Sequence, residues 1–139
     1  MSAMYSNILV PVVFEHEPSV EQALAVANEL LAENGKITLL HVVEEIPSYA
    51  TTMIPKEIWA NSVKSAQTDI KKLAAKHHPT ASSDVIKGHS SRAILDYGEE
   101  HNSDCIVISS HKPGLEDYFL GSTAARVVRH AKCAVHILR

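Results

Sequence analysis

Val107-Ile108-Ser109-Ser110-His111-Lys112-Pro113-Gly114-Leu115-Glu116-Asp117-Tyr118-Phe119-Leu120-Gly121-Ser122-Thr123 is the stretch on which both the fold and the candidate site turn. The apolar run from Cys105 to Ile108 has the length and composition of a buried strand, a polar turn follows, and Gly121-Ser122-Thr123 opens a helix. The first N–H groups of a helix have no partner within it, and the positive end of the helix dipole adds to them. Such a start therefore suits an anion such as a phosphate. Gly121 lets a ligand approach the backbone, and the Ser122 and Thr123 hydroxyls add hydrogen-bonding groups. The same residue types also make an ordinary N-cap with no ligand present, so Gly-Ser-Thr by itself leaves both readings open.

Working outward, the chain alternates strand and helix patterns. Ile8 to Val13 is a β-branched apolar run suited to a strand covered on both faces. Ser19 with Gln22 forms a capping-box pattern for a first helix carrying Val20, Ala23, Leu24, Ala27, Leu30 and Leu31 at helical spacing, and Asn34-Gly35 is expected to end it in a left-handed turn. Lys36 to Val43 reads as the second strand. A connection containing Pro47 and Pro55 is expected to form a flap with Tyr49, Met53, Ile54 and Trp59, ahead of a helix from Lys56 to His77. Asp84 to Lys87 reads as the third strand, and Gly88 turns into a helix capped by Ser90 or Ser91 that runs out at Asn102. Cys105 to Ile108, a helix from Ser122 to Ala131, and Cys133 to Leu138 complete the series.

This alternation predicts an α/β fold: a five-stranded parallel open sheet with helices on both faces and right-handed crossovers. Ligands bind such sheets beyond the carboxyl ends of the strands, where the strand order reverses. In an order such as 2-1-3-4-5, the loop after strand one, the Gly88 loop and the Ser109–Ser122 stretch meet at one crevice.

Length and charge narrow the functional classes. A chain of 139 residues, 45% of them hydrophobic, is expected to form one domain spanning 1–139. A formal net charge of −3 with no Lys/Arg run argues against a nucleic-acid partner. No apolar run is long enough for a membrane span, and Met1-Ser2-Ala3-Met4-Tyr5 lacks the regions of a signal peptide, so a cytoplasmic protein is expected. Cys105 and Cys133 lie in separate strands without metal-ligand spacing and are expected to be small core residues. The nine histidines include no His-x-x-x-His pair, and no nucleophile elbow or Walker A sequence occurs. With no base within reach of a nucleophile, rapid catalysis is not expected.

The Ser-His-x-x-Gly-Leu turn, Leu120-Gly121-Ser122, the helix ending Val127-Val128-Arg129-His130-Ala131 and the closing Cys133-Ala134-Val135-His136-Ile137-Leu138-Arg139 resemble the universal stress protein A superfamily. The opening Asn7-Ile8-Leu9-Val10-Pro11-Val12 and the Gly88 loop extend the resemblance over the whole chain. It implies the Rossmann-like strand order 3-2-1-4-5 of adenine nucleotide alpha hydrolases. It also implies ATP or a related adenine nucleotide, with magnesium accompanying it, at Pro11, Val12, Val13, Val42, Gly88, Ser109, Ser110, His111, Lys112, Gly114, Gly121, Ser122 and Thr123.

The implied role is a cytoplasmic, nucleotide-binding stress-response module. Its homodimer would pair strand 133–138 with its symmetry mate, and the ordered flap or dimer surface would be read by a protein partner. The alternative is a family member that binds no nucleotide and acts as an interaction module through its dimer and flap. Two departures bear on this choice. Val13 stands where nucleotide-binding members carry Asp, and a lost hydrogen bond to a charged group costs roughly 1.5–3 kcal/mol, about ten- to a hundred-fold in affinity. Ser109 and Lys112 replace the two glycines of the phosphate turn, where Lys112 can act as a point charge and Pro113 removes a donor.

Overall fold

The computed structural model describes residues 4–14, 17–44, 55–110 and 121–139. Along these residues run β1 (Tyr5–Pro11), α1 (Glu17–Leu30), β2 (Leu31–Glu44), α2 (Lys56–His77), β3 (Ser82–Gly88), α3 (Ser90–Glu100), β4 (Cys105–Ser109), α4 (Ser122–His130) and β5 (Ala134–Leu138). The strands form one sheet in the order β3-β2-β1-β4-β5, and every neighbouring pair is parallel. The order reverses between β1 and β4, which pair through Ile8 with Cys105 and Leu9 with Ile106.

Two cores follow from the two-residue period of the strands. Ile8, Val10, Ile37, Leu39, Cys105 and Val107 project to one face and bury Val20, Ala23, Leu24 and Ala27 of α1 with Ala66, Ile70 and Ala74 of α2. Leu9, Leu40, Ile106 and Ile108 project to the other, against Ile94 and Tyr97 of α3 and Ala124 and Val127 of α4. Tyr97 also ties α3 to β3, its hydroxyl donating to Asp84 Oδ2 at 3.0 Å. The expected apolar stripe of α2 departs at its start, where Ile58 is 56% exposed.

Three element ends differ from the sequence reading. First, α1 begins at Glu17, so Ser19 lies inside its first turn rather than ahead of it. Lys76 and His77 at the end of α2 reach the Glu17 carboxylate at 3.2 and 3.3 Å. Second, Asn34 does adopt the left-handed conformation, with φ 64°, but the helix has already ended at Leu30. The turn lies within β2, because Tyr5 pairs with Leu31 and Asn7 with Lys36, a register shift that takes up the intervening residues. Third, neither Ser90 nor Ser91 caps α3. Its N-cap is His89, without a side-chain cap bond, and the Ser90 N–H and hydroxyl both donate to the Glu44 carboxylate. Parallel pairing of Glu44 with Gly88 brings that carboxylate to the helix start. The expected flap residues Tyr49, Met53 and Ile54 lie outside the described residues, whereas Trp59 is in α2 with the Lys87 ammonium 5.7 Å from its ring centroid.

Candidate functional site

The carboxyl ends of β1, β2 and β4 converge with the first turns of α1, α3 and α4. A cavity of about 130 Å³ lies at this meeting point, lined by Pro11, Val12, Val13, Leu40, His41, Val42, Ile108 and Ser109 from the strand ends and by Ser19, Val20, Ala23, Ser90, Ile94 and Thr123 from the helices. The strand order places it at the β1/β4 reversal, where parallel sheets take their ligands.

Of the residues singled out from the sequence, Pro11, Val12, Val13, Val42, Ser109 and Thr123 come together in this lining. Gly88, Ser110, Gly121 and Ser122 stand outside it, and His111, Lys112 and Gly114 lie outside the described residues. Val13 is past the end of β1 and 55% exposed, so it does not plug the crevice.

Ser110 is buried and committed to structure, its N–H and its hydroxyl both donating to the Leu138 carbonyl, at 2.8 and 3.0 Å. Its own carbonyl accepts from the Gly121 N–H at 3.3 Å. Through this relay the end of β5 fixes the N-cap of α4. A Cβ at Gly121 would stand 3.3 Å from the Ser110 oxygen, so the glycine keeps strand end and helix start in close approach. The first i→i−4 bond of α4 runs from the Ala125 N–H to the Gly121 carbonyl at 2.9 Å, and the amides of Ser122, Thr123 and Ala124 precede it. Among the described residues no side-chain cap bond is made at this helix start. Gly88 adopts φ +150°, a conformation that turns β3 into α3 and that side-chain-bearing residues rarely adopt.

Residues 4–139 match the model of the universal stress protein family. The chain belongs to the universal stress protein family. Universal stress protein G of Salmonella typhimurium is 32% identical over 145 residues, covering 98% of this chain and 100% of that protein. Among solved structures, the universal stress protein UspA of Lactobacillus plantarum superposes with a TM-score of 0.74 at 25% identity, over 99% of each chain. Two more distant universal stress proteins share the fold, each at 18% identity. One was solved with cAMP, with a TM-score of 0.65 and 99% and 98% of the two chains covered. The other, from Archaeoglobus fulgidus, was solved with dAMP, with a TM-score of 0.63 and 97% and 98% covered.

Within this universal stress protein, sequence reasoning missed His41. Its ring lines the cavity, Nδ1 lies 3.0 Å from the Val12 carbonyl, and Phe14 packs on it with centroids 4.3 Å apart. The available signal was its place at the carboxyl end of β2, two and four residues beyond Leu39 and Ile37 on the same face. Among the described residues lining the cavity none carries a carboxylate.

Proposed function

We propose that this universal stress protein binds an adenine nucleotide across the β1/β4 reversal, with phosphates at the amides that open α4 and the nucleoside toward β2. The observation that carries the reading is the single cavity that joins Val12 and Val13, Val42 and Thr123. β2 and β4 flank β1, so their ends are two strand spacings apart, roughly 10 Å, which suits the span from phosphate to nucleoside. The cAMP and dAMP complexes of relatives with this fold support the ligand class. At about 130 Å³ the cavity is below the roughly 300–1,000 Å³ of enclosed ligand sites, so it would seat one part of the nucleotide while the rest lies along the strand ends.

In this reading ATP is bound without rapid turnover, in the cytoplasm, and a homodimer forms through residues 133–138. The test is isothermal titration with ATP, ADP, AMP and cyclic AMP at millimolar ligand, on the wild-type chain and on Gly121→Val. Heat from at least one nucleotide, weakened tenfold or more by the substitution, is the expected result. Silence with all four would overturn the reading. It would favour instead the interaction module, to which the exposure of Val13 at the crevice mouth already points.

A further inference from the structure

We infer that His41 is the residue that reads the nucleoside end of the ligand, through Nε2 acting as a hydrogen-bond acceptor. This inference rests on the nucleotide reading of the same crevice. A carbonyl oxygen only accepts, so the 3.0 Å contact with Val12 places the hydrogen on Nδ1. In the neutral ring Nε2 then carries a lone pair and no hydrogen. Phe14, 4.3 Å away between centroids and tilted by 39°, holds the ring from one side, and Nε2 makes no hydrogen bond to another described residue.

The position of the ring gives that lone pair something to meet. His41 lines the cavity at the β1/β4 reversal and also a neighbouring hollow of about 520 Å³ bounded by Phe14, Val43 and α2, so it stands where the two meet. It belongs to β2, on the side of β1 away from α4, and therefore faces the end of the ligand opposite the phosphates. The Val13 side chain brings no acceptor to this part of the crevice, and among the described residues no carboxylate lines the cavity. The donor on the ligand is an N–H or O–H of the nucleoside, either the exocyclic amine of the base or a ribose hydroxyl.

Titrations of AMP, IMP, 2′-deoxyAMP and 3′-deoxyAMP into wild type, His41→Asn and His41→Gln test this. Asn keeps a donor near the Nδ1 position and loses the distal acceptor, whereas Gln restores an acceptor near Nε2. Wild type is expected to bind AMP about three- to tenfold more tightly than the analogue lacking the donor, the range expected for one neutral hydrogen bond. Weaker binding of IMP would identify the base amine, and weaker binding of a deoxy analogue the ribose hydroxyl. The preference should vanish in His41→Asn and return in part in His41→Gln. Binding of AMP by wild type with an unchanged preference in His41→Asn would overturn the inference and leave the nucleotide reading standing. No binding by wild type would overturn both.

Discussion

At the scale of single residues, the site depends on backbone positions more than on reactive side chains. Gly88 is the clearest case, because φ +150° is open to glycine and strained for other residues, and a Cβ there would also stand 3.3 Å from that of Ala93. Gly88→Val is expected to cost about 1–3 kcal/mol, read as a lower urea midpoint with an unchanged slope. A midpoint equal to that of wild type would contradict the assigned conformation. Gly88 and Asn34 were legible in the sequence because glycine and asparagine announce unusual backbone, and Gly121 because glycine permits a close approach. The contacts of Ser90 and His41 were not. Glu44, which takes the Ser90 amide and hydroxyl, is 46 residues away, and the Val12 carbonyl is 29 residues from His41. Local pattern cannot reveal a partner that only sheet register delivers.

At the scale of elements, β-branched runs and helical periodicity located the five strands and four helices of the described residues, since each must bury a face whatever its neighbours. Their ends were less legible. Whether residues 31–35 extend the helix or the strand is decided by the pairing of Leu31 with Tyr5, which is invisible to a local window. The edge strand β5 carries a prediction of its own. Among the described residues it pairs only with β4, and Val135 and Ile137 are partly buried on one face, so its outer ladder can accept a second copy. Val135→Lys is expected to convert a dimer to a monomer in sedimentation velocity. A wild-type chain that sediments as a monomer at high micromolar concentration would contradict the proposed dimer. Because Leu138 holds Ser110 and Ser110 holds Gly121, disturbing the edge should also loosen the start of α4.

At the scale of the whole molecule, the two-sided core sets an alkaline limit on stability. Burial, with smaller contributions from Cys133 and Asp104, raises the Cys105 thiol from 9.0 to about 11. Burial and the bond to Asp84 raise Tyr97 from 10.0 to about 12. Both groups are neutral when protonated and are held protonated by the fold. Their contribution is complete below the unfolded values and is lost as pH rises through the folded ones. Stability is therefore expected to fall between pH 9 and 11, and Cys105→Ala, though less stable near neutrality, should show a shallower decline over that window in urea unfolding. Equal slopes would contradict the burial of the thiol.

Nucleotide binding as proposed depends on the backbone amides that precede the first internal bond of α4, and amide chemical shifts follow them one by one. In a ¹H–¹⁵N titration of the labelled full chain with ATP, the cross-peaks of Ser122, Thr123 and Ala124 are expected to move progressively and saturably, with those of Arg129 and His130 at the far end of the helix changing little. ATP binding that leaves those three amides where they were, or millimolar ATP that moves no peak in the crevice, would contradict it.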